Sequence, residues 1–150
     1  MILLSDHAIK QSSKGQSLLG GLDVHVCRNY FGSQLNSCKK TINVTADEFI
    51  GSEGIFIRAP AIIKAGAGVR ILGTVLAGPH ISVLDGVKNL VCGDTTSIEN
   101  SDGENTPYIA HISESGTPGG MYQVAVAVRQ GNILATAFHP ELTNDLRWHR

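Results

Sequence analysis

Phe138-His139-Pro140-Glu141-Leu142-Thr143-Asn144-Asp145 is the stretch on which the reading of this chain turns. It closes an apolar run, Ile133 to Phe138, that reads as a strand. His139 therefore falls at a strand's carboxyl end, where α/β proteins gather catalytic groups. Pro140 stiffens the backbone behind it. Glu141, two residues on, can return a carboxylate to the imidazole, fix its tautomer and raise its basicity. The plainer alternative is a loop His and Glu that cap the next helix. Thr143 predicts an N-cap for a short helix over Asn144 to Trp148.

Working back from this loop, Gln123 to Gln130 and Ile133 to Phe138 flank Gly131-Asn132. Two extended runs around such a pair predict a β-hairpin. Leu22, Val24 and Val26 alternate with Asp23, His25 and Cys27, the pattern of a strand with one buried face. Residues 38–45, 54–58 and 69–75 are further strand candidates. Pro60 is expected to stop or bend regular structure, because it lacks an N–H and restricts Ala59. Residues 1–11 carry Ile2, Leu3, Leu4, Ala8 and Ile9 at roughly helical spacing and predict a short helix. Residues 77–121, rich in Gly, Ser, Asn, Asp and Pro, read as a long inserted loop.

Composition narrows the classes. The 150 residues are 42% hydrophobic and 17% charged, with a net charge of -1. That apolar share supports a core and argues against disorder. The near-zero charge offers no electrostatic reason to expect a nucleic acid or an anionic membrane as partner. No apolar run approaches the roughly 20 residues of a transmembrane helix. The N-terminus has no basic region or cleavage site of a signal peptide.

Cys27, Cys38 and Cys92 are odd in number and show no zinc or disulfide spacing. A reducing, cytoplasmic compartment is the expectation. None of the three sits on a strand-turn-helix elbow, and all three read as ordinary small side chains. His7, His25, His80, His111 and His149 lack a metal-site pattern. Arg28 and Arg58 each end a predicted strand. Each can be a surface ion-pair donor or can hold a ligand carboxylate through its fork of donors.

Several blocks together resemble one family. Phe138 to Asp145, with Arg147 following, is similar to the C-terminal motif of the glutaminase subunits of pyridoxal 5'-phosphate synthase, which are class I (triad) glutamine amidotransferases. Ala127 to Asn132 resembles the hairpin before that motif. Gly54-Ile55-Phe56-Ile57-Arg58-Ala59-Pro60 resembles its Gly-Val-Phe-Ile-Arg-Ala-Pro segment. Leu19 to Asp23 and Arg28 to Gln34 resemble a third block. The blocks fall in order and cover most of residues 1–76 and 122–150.

The resemblance implies an α/β, three-layer sandwich with a mixed, mostly parallel central sheet, forming one partial domain over residues 1–150 with an insertion at about 77–121. It implies hydrolysis of L-glutamine to glutamate and ammonia for vitamin B6 biosynthesis. His139 is then general base and acid, Glu141 its orienting partner, and Arg28, Ile57 and Arg58 glutamine-binding positions. The implied partner is the synthase subunit in a hetero-oligomer; no metal or organic cofactor is implied for the glutaminase step.

The departures carry their own expectations. The family's nucleophilic Cys stands in a Gly-Thr-Cys-Ala-Gly elbow, and Met1-Ile2-Leu3-Leu4 looks like the helix start just after it. The chain is therefore expected to be incomplete at its N-terminus, inactive alone, and unstable or prone to aggregate. Asn36-Ser37-Cys38-Lys39 differs from the usual Asp-Ser-Phe-Glu. The competing reading is a non-catalytic remnant that binds the synthase subunit.

Overall fold

The computed structural model describes residues 1–9, 17–92, 108–112 and 121–149. Its strands, in chain order, are β1 (Ser5–Ile9), β2 (Leu22–Cys27), β3 (Cys38–Thr41), β4 (Asn43–Val44), β5 (Glu53–Phe56) and β6 (Ala61–Ala65). There follow β7 (Arg70–Ala77), β8 (Tyr108–Ile109), β9 (His111–Ile112), β10 (Tyr122–Gln130) and β11 (Ile133–Thr136). The described residues hold one α-helix, α1 (Leu84–Cys92).

The long apolar strand β10 organises the sheet. Val124 to Val128 are all buried, so this strand has no solvent face, as a central strand requires. The order is β1-β2-β6-β10-β7-β4, with β11 and β9 also on β10 and β8 on β6. Gln130 pairs with Ile133 across Gly131-Asn132. Gly131 takes a φ of +55°, which a first central hairpin residue can reach cheaply only as glycine. The predicted hairpin is therefore present, with the strand ending at Thr136.

Alternate residues of β2, β6 and β10 feed two apolar clusters. Leu22, Val24, Ile62, Ala125 and Val128 lie in one, against Met1, Ile2 and Leu4. Cys27, Ile63, Val124 and Val126 lie in the other. That second cluster takes in Val87 of α1 and the aromatic side chains Tyr30, Phe56, Phe138 and Trp148. A separate ribbon of β3 and β5 carries Phe56, pairing Lys39 with Ile55 and Cys38 with Phe56.

The α/β class and the mixed sheet are as expected. The balance of directions differs, since β1 with β2 is the one parallel pairing among the described residues. Short links such as Gly131-Asn132 can join only antiparallel neighbours, whereas residues 10–21 are long enough for a parallel connection.

Three local expectations also change. The predicted N-terminal helix is a 3-10 turn, Ile2–Leu4, followed by β1. A lone helix of that length is marginal in water, and backbone pairing with β2 wins. The stretch read as one strand over 38–45 breaks at Ile42, because β3 pairs with β5 while β4 pairs with β7. The segment 77–121, read as a loop, contains α1, β8 and β9, while residues 93–107 and 113–120 lie outside the described residues. No described helix is long and apolar enough to cross a membrane.

Candidate active site

The site is assembled on the β5 edge. After β11 the chain buries Phe138 against Phe56 and Trp148, with ring centroids 6.0 and 5.2 Å apart. That anchor delivers His139 to β5, where its backbone N–H donates to the Ile55 carbonyl at 2.9 Å. Pro140 then starts a 3-10 turn, Pro140–Leu142, that carries Glu141. Thr143 closes the turn, with its backbone N–H and its hydroxyl both donating to the Pro140 carbonyl, at 3.0 and 2.9 Å.

Within this turn the His139 Nδ1 lies 2.7 Å from Glu141 Oε1. A carboxylate accepts only, so Nδ1 carries the proton and Nε2 is left as the exchangeable nitrogen. Nε2 is 3.3 Å from the Ile57 carbonyl oxygen. The side chains are 41% and 57% exposed, so a substrate can reach the pair. The hydrogen bond from the imidazole holds the Glu141 carboxyl below its usual range.

Arg58 follows Ile57 directly and is exposed, with a φ of +49°. A side chain in this left-handed region costs roughly 1–3 kcal/mol, and such strain collects where function over-determines the backbone. The turn bearing Arg28, half-buried beyond the end of β2, meets the same loop: Phe31 N–H donates to the Ala59 carbonyl at 3.3 Å. The structure thus brings His139, Glu141, Ile57 and Arg58 together and sets Arg28 on the adjoining turn. Cys27 is buried, its thiol 3.8 Å from the Arg28 carbonyl, and Cys38 is on β3. Among the described residues no group of three His, Cys, Asp or Glu could hold a metal ion.

The loop continues into a polar cluster in which Asp145 and Arg147 belong to the C-terminal motif and Ser52 is the member that the sequence does not single out. Asp145 and Arg147 form a two-pronged ion pair, Nε to Oδ1 and Nη2 to Oδ2, both 2.8 Å. The Arg147 guanidinium holds the Asp145 carboxyl down to about 2. Ser52, buried just before β5, donates to Asp145 Oδ2 at 3.0 Å and accepts from Arg147 Nη2 and Trp148 Nε1, both 3.2 Å. Asp145 Oδ1 also accepts from the Arg147 backbone N–H at 3.1 Å. Thr143 makes the expected cap contact, its Oγ1 accepting from the Asp145 backbone N–H at 3.3 Å, Asp145 caps in turn, and the helix that follows is a 3-10 turn, Leu146–His149. An Asp-x-Arg spacing is visible in sequence; its meeting with Ser52 is not.

A cleft of about 570 Å³ runs along the outer side of the loop, between Glu53 and Ile55 on one wall and Thr143 and Asp145 on the other. Its charges are already matched, Lys39 with Glu53 at 2.6 Å and Arg147 with Asp145. His139 and Glu141 do not line it.

The family model described as the SNO glutamine amidotransferase family matches residues 1–93. The chain belongs to that family. Similarity continues past the matched segment. A relative from Arabidopsis thaliana, named as a probable pyridoxal 5'-phosphate synthase subunit PDX2, is 41% identical over 99% of this chain and 52% of its own length. The pyridoxal 5'-phosphate synthase subunit PdxT of a Parafrankia species is 35% identical over 100% of this chain and 51% of its own. A solved crystal structure of a glutamine amidotransferase superposes with a TM-score of 0.57 at 31% identity, covering 99% of this chain and 52% of that one. The chain therefore spans about half the length of these relatives.

Proposed function

We propose that this chain supplies the acid–base half of a glutaminase site: L-glutamine is hydrolysed to glutamate and ammonia, and the ammonia serves pyridoxal 5'-phosphate synthesis on a synthase subunit. The observation that carries the reading is the 2.7 Å pairing of His139 Nδ1 with Glu141 Oε1, beside Ile57 and Arg58, in a member of an amidotransferase family. The names of the relatives, subunits of pyridoxal 5'-phosphate synthase, support the pathway and a hetero-oligomeric setting. The cytoplasm is the compartment that fits such biosynthetic relatives.

In this reading a thiolate attacks the substrate's carboxamide carbon. The Nε2 of His139 first takes the thiol proton and then returns it to the leaving nitrogen, releasing ammonia and leaving a γ-glutamyl thioester. His139 next takes a proton from water, the hydroxide attacks the thioester, and glutamate departs as the thiolate reforms. Glu141 keeps Nδ1 protonated and steadies the imidazolium. Arg28 and Arg58 face the amino-acid end of glutamine, where a guanidinium fork matches the α-carboxylate.

No cysteine whose side chain is described takes the role of the nucleophile. Buried Cys27 and strand-borne Cys38 do not fit it, so residues 1–150 by themselves are proposed not to turn glutamine over. The test measures glutamate release by this chain with the synthase subunit, with and without a polypeptide carrying the Gly-Thr-Cys-Ala-Gly elbow. Release that needs the elbow and disappears in His139→Asn supports the reading. Binding to the synthase subunit with no release under any condition supports the non-catalytic alternative.

A further inference from the structure

The His139–Glu141 pair is exposed and lies on a loop, yet its chemistry needs a fixed ring orientation. The source of that order lies at the far end of the same loop. Arg147 has five guanidinium N–H groups, and all five find acceptors. Nε and one Nη2 proton serve the Asp145 carboxylate, and the other Nη2 proton serves Ser52 Oγ. Nη1 donates to the Glu48 carbonyl at 2.8 Å and the Ile50 carbonyl at 3.1 Å. Ser52 is used as fully: its hydroxyl donates once and accepts twice, the capacity of that group. Its N–H and carbonyl are bound as well, to Phe49 and Ile42.

Ser52 leads straight into β5, and β5 carries the Ile55 carbonyl that holds the His139 backbone N–H. Segment 48–57 is therefore joined to the loop at both ends, through the Ile55 carbonyl at the His139 backbone N–H and through Glu48, Ile50 and Ser52 at Arg147. A loop pinned at one end pivots; a loop pinned at both presents Glu141 to His139 in one geometry. We infer that Ser52 and Arg147 are positioning residues for the His139–Glu141 pair, acting through Asp145 and the Pro140–Leu142 turn. This rests on His139 being the proton-transfer group of the proposed glutaminase.

The test reads the ring itself, without turnover. Imidazole ¹⁵N shifts of His139 in this chain report which nitrogen carries the proton in the neutral ring. The unaltered chain is expected to hold the Nδ1–H form, and Glu141→Gln to release it to a mixture. Arg147→Lys keeps the charge and removes the fork. Ser52→Ala removes one hydroxyl. Each is expected to move His139 toward the Glu141→Gln mixture while the amide signals of β6, β7 and β10 stay in place. A ring that keeps the Nδ1–H form in a folded Arg147→Lys or Ser52→Ala chain overturns the inference. So does loss of the β10 signals in both variants, since the cluster then supports the whole fold and not the loop. Failure of the glutaminase reading shows separately, as absence of glutamate release with the tautomer response intact.

Discussion

Gly54 passes so close to Phe138 that a Cβ added there would stand 3.0 Å from the ring's Cγ and 2.9 Å from Phe56 Cε2. The absence of a side chain on β5 is what lets Phe138 reach the core and set His139 against Ile55. Gly54→Ala is expected to push Phe138 outward and to cost about 1–3 kcal/mol, the range for overpacking a tight core. A thermal melt reads the stability change, and loss of protection of the His139 amide reads the displacement. Unchanged stability and protection would mean that Phe138 yields freely.

Asp145 gives the chain an acid limit. Its carboxyl sits near 2 in the folded state against an ordinary 3.8, because the Arg147 guanidinium stabilises the charged form. A depressed carboxylate adds stability that is present above its unfolded value and is lost as the pH falls toward the folded one. Denaturant midpoints should therefore fall between about pH 4 and pH 2. Asp145→Asn should be less stable at neutral pH and flatter across that window. Equal slopes in the two proteins would contradict the assignment.

His25 acts at a milder pH. It is partly buried, with the His7 ring centroid 4.3 Å away, and burial first, then His7 and Lys64, push its pKa down from 6.5. Asp23 and Asp6 pull weakly the other way. A histidine with a lowered folded pKa binds its proton more readily when unfolded, so stability falls as the pH drops below about 6.5. His25→Gln should abolish this part of the pH dependence, read as a constant denaturant midpoint from neutral to mildly acidic pH.

Arg58 carries opposed effects. Its left-handed backbone favours glycine, so Arg58→Gly should leave the melting temperature unchanged or raise it, by the equivalent of up to about 1 kcal/mol. The same change removes the proposed partner of the substrate carboxylate and should raise the KM for glutamine in the reconstituted enzyme. A fall in stability with KM unchanged would mark Arg58 as structural.

Local signals in the sequence account for much of this. His139 and Glu141 are two residues apart on a Pro-stiffened turn, and the Gly131-Asn132 hairpin is equally local. What was not legible depends on distant partners. Ile2-Leu3-Leu4 and Ala8-Ile9 suit a helix or a strand by themselves, and only pairing with β2 decides. Ile42 ends β3 because the chain changes partners there. Ser52 meets Arg147 across 95 residues, and a lone serine in a loop carries no mark of that use. Strand direction is likewise a property of the connections, so the resemblance alone led toward too parallel a sheet.

The narrow ribbon of β3 and β5 sets the place of the His139 loop through its register. Backbone carbonyls alternate along a strand, so those of Ile55 and Ile57 point away from β3, while residues 52, 54 and 56 share the opposite edge. The loop bearing His139 thus occupies the place of a third strand. A one-residue slip of β5 against β3 would exchange the two edges and turn the Ile55 carbonyl away from the His139 backbone N–H, with every proposed catalytic side chain still encoded. The register of this two-stranded ribbon, which no residue of the His139–Glu141 pair sets, therefore decides where His139 stands.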